Sequence, residues 1–143
     1  KLNMHKDYSI HPKLGKERRI NIIIYMTPDW QEEWGGGLEL WSHNEESNLP
    51  KECVTKVYNK FNRAVLFDTA QNSWHGLPDE ITCPEGVYRK SLAIYYLSEA
   101  RESSETHDRA LFAPHKEQAN DPQILDLIKK RSSSKTSEGT YRT

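Results

Sequence analysis

Little in this chain marks it for the compartments and partners that leave the strongest traces in a sequence. Cysteine is scarce: Cys53 and Cys83 are the only two in 143 residues and stand thirty positions apart. Neither has the close neighbour that a zinc knuckle or a disulfide framework requires. Net charge is nearly absent, with 20 Lys+Arg against 21 Asp+Glu and a formal charge of −1. No bulk field therefore attracts nucleic acid or anionic lipid, and neither is expected as a partner. The longest apolar run, Ile22-Ile23-Ile24-Tyr25-Met26, falls far short of the roughly 20 residues of a membrane helix. The first residues show no apolar signal-peptide stretch. The expectation is a cytoplasmic protein in a reducing compartment. A hydrophobic fraction of 35% and a mean hydropathy of −0.89 are low for one globular domain, which places part of the chain outside any core.

What is present reads mainly as β-structure. Alternation and β-branched content make Arg18 to Met26 a long buried strand, with Thr27-Pro28-Asp29-Trp30 as the turn that ends it. Gly35-Gly36-Gly37 leads into a short strand, Leu38 to Trp41, where the glycines allow torsions or close approaches that a side chain would block. Ser42 to Glu52 reads as loop. Further strands are expected at Cys53–Tyr58, Arg63–Asp68 and Arg89–Leu97, with Asn59-Lys60-Phe61-Asn62 as a hairpin connection between the first two. Short strands at regular spacing predict a sandwich or barrel over residues 1–98. Residues 99–131 then form an extension with one helix near Asp121–Lys130, capped by Asp121, opened by Pro122 and closed by lysines. Its Ile124, Leu127 and Ile128 face suits docking on the barrel or on another subunit, so a homo-oligomer is one expectation. The Ser- and Thr-rich tail over 132–143 has almost nothing to bury and is expected to be disordered.

Three constellations can carry chemistry. In His5-Lys6-Asp7 an extended backbone would turn His5 and Asp7 to one face, offering an imidazole and a carboxylate to a single metal. A solvated polar terminus explains the tripeptide equally well until a third ligand is found. His75, between Trp74 and Gly76 in a turn-rich segment, is the best third ligand. Two histidines and one carboxylate leave coordination positions open, which is the facial arrangement of non-haem Fe(II) oxygenases. Arg89 and Ser91 share one strand face by period two, and an Arg fork with a nearby hydroxyl can hold the far end of a dicarboxylate. Lys90, on the opposite face, is the competing cation. Tyr25 carries a hydroxyl on the other long strand. His11 is a rival ligand six residues from His5, whereas His43, His107 and His115 lie in polar segments and are expected to face solvent. Trp41 and Trp74 read as packing residues, with Trp74 and Tyr8 also suited to a substrate entrance.

In order and spacing, His5-x-Asp7, the Arg18–Met26 strand running into Asp29-Trp30, Gly36-Gly37-Leu38, Val65-Leu66-Phe67, His75 and Arg89-x-Ser91-Leu92 resemble the 2-oxoglutarate/Fe(II)-dependent dioxygenases of the prolyl-hydroxylase type. The resemblance covers residues 1 to about 98. It implies a double-stranded β-helix, a cupin-like jelly roll, with iron held by His5, Asp7 and His75. It further implies that Arg89 binds the distal carboxylate of 2-oxoglutarate, assisted by Ser91 and Tyr25. Some collagen-type prolyl hydroxylases carry a lysine at this place, which keeps Lys90 open as the alternative. The activity implied is hydroxylation of a protein side chain, prolyl in the first instance, or of a small molecule. O2 is the second co-substrate, succinate and CO2 are the co-products, and ascorbate is a stimulatory reductant. Two other readings use the same residues: a non-catalytic jelly roll that binds a metal or small ligand, and a zinc hydrolase. A dicarboxylate clamp at Arg89 speaks against the hydrolase. Relatives usually carry a helix and at least one barrel strand before the first metal ligand, whereas here His5 has four residues before it. The N-terminal part of the usual fold is therefore expected to be missing from this chain.

Overall fold

A computed structural model describes residues 1–69, 72–104 and 109–132. His107 and residues 133–143, most of the tail expected to be disordered, lie outside the described residues. The chain is mainly β, with two antiparallel sheets and one C-terminal helix, consistent with a jelly-roll core. The strands are β1 (Leu2–Lys6), β2 (Glu17–Tyr25), β3 (Leu38–Asn44), β4 (Leu49–Val57), β5 (Ala64–Asp68), β6 (Trp74–Leu77), β7 (Ser91–Ser98) and β8 (Leu111–Phe112). Five of them form a sheet in the order β4-β3-β6-β1-β8, and three form a second in the order β5-β2-β7. The helix α1 spans Pro122–Arg131. Asp121 caps it by accepting from Gln123 N at 2.9 Å and Ile124 N at 3.3 Å, which satisfies two of the backbone donors a helix start leaves open.

The two sheets face each other across a core of Tyr25, Leu38, Val65 and Phe67, with Ile23, Leu40 and Val57 packed against it. Period-two alternation produces this arrangement directly, since Ile23 and Tyr25 of β2, Leu38 and Leu40 of β3 and Val65 and Phe67 of β5 are alternate residues of their strands. A second cluster of Met4, Trp74, Ala113 and Trp41 covers the far side of the five-stranded sheet. The outward face of the three-stranded sheet is apolar and open instead: Ile20, Leu66, Leu92, Ile94 and Tyr96 are all exposed. No helix among the described residues is long and apolar enough to cross a membrane.

Several expected boundaries move. The segment Ser42 to Glu52 is not a loop; β3 runs on to Asn44 and β4 starts at Leu49, so a tight turn joins two long paired strands. Asn44 makes that turn, its Oδ1 accepting from Glu46 N and Ser47 N. Residues 59–62 do not close a hairpin, because β4 pairs with β3 while β5 pairs with β2 in the other sheet. The connection crosses between sheets, and local turn composition cannot distinguish the two cases. The turn-rich segment around His75 is in fact β6, a central strand. Its Gly76 permits the close approach of β1: a Cβ there would stand 2.7 Å from Met4 Cε and 2.9 Å from the carbonyl oxygens of Leu2 and Asn3. Both cysteines are free.

Candidate metal centre

The metal-binding candidates converge because β1 and β6 are direct neighbours. His5 and His75 are cross-strand partners, so both rings leave the same face of the sheet, and their centroids lie 4.4 Å apart. Asp7, just past the end of β1, keeps the two-residue spacing from His5 and turns back toward them. One ligand atom from each of His5, Asp7 and His75 lies within 4.8 Å of the others. Asp7 Oδ2 stands 3.3 Å from His75 Nε2, and Oδ1 stands 3.8 Å from His5 Nε2. The rings of Phe67 and Phe112 wall the site, at 4.9 Å from His75 and 5.2 Å from His5.

Hydrogen bonds behind the rings fix which nitrogen faces the centre. His5 Nδ1 donates to the carbonyl of Asn3 at 2.9 Å, and His75 Nδ1 donates to that of Ser73 at 2.8 Å. A carbonyl oxygen can only accept, so each Nδ1 carries a proton and each Nε2 is the nitrogen turned to the shared space. Burial, reinforced by the neighbouring His75 ring, holds the pKa of His5 below its ordinary value. Burial alone would raise that of Asp7, but His75 and the charges around it outweigh this and leave the carboxyl below its usual range. One of those charges is Arg18, whose Nη2 lies 2.9 Å from Asp7 Oδ2. The guanidinium is pressed against the Tyr95 ring, 3.6 Å from its centroid, with Tyr8 at 4.9 Å on another side. Two imidazoles that present Nε2 and a carboxylate held in its ionised form, gathered in one largely buried site, are a donor set that fits Fe(II).

The remaining candidates assemble at the other sheet. Tyr25, at the end of β2, is opposite Ser91 at the start of β7. Arg89 precedes β7 rather than lying within it, yet its Nη1 donates to Ser91 Oγ at 3.4 Å, so the predicted pairing of the two side chains holds without the strand. Arg89 Nε donates to the carbonyl of Gly36 at 3.0 Å, and the guanidinium carbon lies 5.4 Å from the centre of the Tyr25 ring. The Tyr25 hydroxyl is buried with no hydrogen-bond partner among the described residues. Burial pushes its pKa up against the opposing charge of Arg89, which keeps the phenol neutral and able to donate. Burial likewise lowers that of Arg89, offset by Tyr25. An unpaired buried hydroxyl beside a half-buried guanidinium is the cradle that a carboxylate would complete. Lys90 is exposed on the other side, its backbone N–H bonded to Thr27 Oγ1 at 2.8 Å.

Other expected contributors lie elsewhere. His11 is spent on its own turn, accepting from Lys13 N and Leu14 N at 3.2 Å each. His43 is not solvent-exposed, because Trp74 Nε1 donates to its Nδ1 at 3.0 Å. His115 is half-buried. Trp74, whose side chain alternates with that of His75, packs on the far side of the sheet and lines no entrance. Sequence reasoning missed Arg18, which strict alternation would turn outward with Ile20; an irregularity in the β2–β7 register between Arg18 and Ile20 turns it inward.

The family model of the 2OG-Fe(II) oxygenase superfamily matches residues 1–97. The chain is similar to the mouse (Mus musculus) protein prolyl 3-hydroxylase OGFOD1, 31% identical over 79 residues, which is 55% of this chain and 14% of that protein. The chain thus spans about one-seventh of the length of that curated relative. With the match running across both halves of the candidate site, the chain belongs to the 2OG-Fe(II) oxygenase superfamily.

Proposed function

We propose that this chain forms the iron- and 2-oxoglutarate-binding core of a hydroxylase, with His5, Asp7 and His75 as the metal ligands and Arg89, Ser91 and Tyr25 as the co-substrate clamp. The observation that carries the reading is the pairing of two half-sites: a buried His-Asp-His triangle from one sheet and a buried, unpaired phenol beside Arg89 from the other. Fe(II), 2-oxoglutarate and O2 bound there would supply an oxidative decarboxylation that yields succinate and CO2 and converts a substrate C–H to C–OH. The protein's own part is electrostatic and positional. His5, with its lowered pKa, can meet a cation without first losing a proton, and Asp7 arrives already ionised. Phe67 and Phe112 keep water from the histidine rings. Arg89, held through Nε by Gly36 and through Nη1 by Ser91, keeps further N–H groups on Nη1 and Nη2 for a carboxylate. For substrate the reading is a protein side chain, with proline first because the relative is named for prolyl hydroxylation, and a small molecule second.

The test is an anaerobic titration of the metal-free protein with Fe(II) and then 2-oxoglutarate, following the visible charge-transfer absorption of the chelate. The parent should develop the band, His75→Ala should lose it, and Arg89→Ala should need at least about tenfold more 2-oxoglutarate, the loss of a charge-assisted pair. A parent that binds Fe(II) but shows no 2-oxoglutarate-dependent band would overturn the oxygenase reading and leave a metal-binding jelly roll. Preference for Zn(II) with hydrolysis of an ester would favour the hydrolase.

A further inference from the structure

Asn59 is the least explained polar side chain near this site. It is 6% exposed, and neither its carboxamide oxygen nor its nitrogen has a hydrogen-bond partner among the described residues. Buried amides are nearly always satisfied, so one with both ends open marks a place where a partner belongs. Its surroundings identify the partner. The connection that carries Asn59 is sewn to the backbone of Tyr25: Tyr25 N donates to Arg63 O at 2.9 Å, and Asn62 N donates to Tyr25 O at 3.0 Å. Gly36 brings Asn59 and Arg89 together. It has φ +71°, and a Cβ there would lie 3.0 Å from Arg89 Cδ, 3.2 Å from Ile81 Cγ1 and 3.3 Å from Asn59 Nδ2. Because residue 36 has no side chain, the stem of Arg89 and the amide of Asn59 converge on one point, and the guanidinium at the end of that stem lies 5.4 Å from the centre of the Tyr25 ring.

The corner therefore offers a guanidinium fork, a phenol hydroxyl and an amide N–H. Arg has only donors, and the phenol and amide can both donate, so the complement is a compact group with several acceptor sites and a negative charge. A carboxylate fits. A neutral carbonyl would leave donors unpaired. Resting on the reading above, we propose that Asn59 is a specificity-determining residue of the co-substrate pocket: its side-chain amide donates to the distal carboxylate of a 2-oxo dicarboxylic acid and helps the site select it over 2-oxo monocarboxylic acids.

Equilibrium binding of two oxo acids to the Mn(II)-loaded protein, measured calorimetrically, tests this. 2-Oxoglutarate carries the distal carboxylate and 2-oxopentanoate lacks it. In Asn59→Ala the Kd for 2-oxoglutarate should rise about tenfold, the loss of one charge-assisted hydrogen bond, while that for 2-oxopentanoate stays within about twofold of the parent. Asn59→Asp is isosteric, can pair with Arg89 and so keeps the corner filled should the alanine variant fail to fold. It should bind 2-oxoglutarate more weakly than the parent, through repulsion and through occupation of Arg89. A merely structural Asn59 predicts equal losses for both acids, and a spectator predicts none for 2-oxoglutarate; either result overturns the proposal. A parent that binds neither acid refutes the oxygenase reading itself. A parent that binds 2-oxoglutarate, with Arg89→Ala impaired and both Asn59 variants unimpaired, refutes the role of Asn59 alone.

Discussion

The two sheets divide the candidate site between them in opposite states of completion. On the five-stranded sheet the metal half is finished: His5 and His75 have their Nδ1 protons on backbone carbonyls, and Arg18, reaching in from β2 of the facing sheet, is the counter-charge to Asp7. At the end of the three-stranded sheet the carboxylate half is open, with the Tyr25 hydroxyl and the amide of Asn59 in the β4–β5 connection unpaired. Packing follows the same division. Met4, Trp74, Ala113 and Trp41 cover the far face of the first sheet, whereas the second turns Leu66, Leu92 and Tyr96 to solvent, 50% to 62% exposed. A cation site can be prepared by protein groups alone, since ligands and counter-charges are all side chains. A carboxylate site keeps part of its donor capacity uncommitted for the anion, as the Tyr25 hydroxyl and the Asn59 amide are here.

Substitutions can break this contrast, and the largest effect is expected at Gly76. In Gly76→Val the new side chain meets Leu2 O and Asn3 O, backbone atoms that move only if β1 leaves β6. A loss of about 4 kcal/mol is expected in denaturant unfolding, together with metal binding, because separating these strands separates His5 from His75. Unaltered stability would mean that the strands are not held this closely. Arg18→Met comes next. It removes the guanidinium beside Asp7 Oδ2, leaving the carboxylate only its histidine neighbours, and should cost about 3 kcal/mol in the metal-free protein at neutral pH. Saturating Mn(II) supplies the missing positive charge, so it should raise the melting temperature more in Arg18→Met than in the parent. Equal increments would show that Arg18 does not balance Asp7.

Both effects bear on how far the site can be read from sequence. Period two pairs His5 with Asp7 and Arg89 with Ser91, and the need for a third ligand suggests His75; the resemblance to prolyl-hydroxylase-type dioxygenases adds Tyr25 and implies the role of each. The long strands are equally plain: β2 begins one residue before its expected start, and α1 begins at the proline after its predicted cap. What escapes depends on tertiary contacts. Arg18 faces inward only through an irregular register with β7. The segment at His75 looks like a turn, since Ser73, Gly76 and Pro78 are turn residues, yet Gly76 serves a close strand pairing. Residues 59–62 look like a hairpin because loop composition records the bend and not which sheet the chain enters next.

A third prediction concerns the segment that follows β7. Arg101 grips the buried Glu17 at the start of β2, with Nη2 to Oε1 at 2.6 Å and Nε to Oε2 at 3.0 Å. Arg101 and its neighbours draw the pKa of Glu17 from its ordinary 4.5 down to about 2. A carboxyl depressed in the folded state stabilises it above the unfolded pKa, and that contribution disappears as pH falls from 4.5 toward 2. Arg101→Ala should therefore lower the melting temperature by about 5 °C at pH 6, and the gap to the parent should close on acidification through this range. A gap that persists at pH 2 would assign the effect to packing of the arginine stem.

The smallest effect is the sharpest probe of the two-sheet contrast, because it compares adjacent residues of β5. Phe67 is 8% exposed and touches the His75 ring, whereas Leu66 is 62% exposed on the outward face. Phe67→Leu nearly preserves volume but vacates the edge of that ring, so it should cost about 1 kcal/mol and weaken Fe(II) binding. Leu66→Thr removes little buried surface and suits a strand, so stability should change by less than about 0.5 kcal/mol. Removing an exposed leucine from an apolar sheet face should also raise the concentration at which the protein starts to self-associate, as read by light scattering. A loss from Leu66→Thr as large as that from Phe67→Leu would mean that the outward face of β5-β2-β7 is covered in solution, and the contrast between the sheets would then hold for this chain in isolation but not for its assembled form.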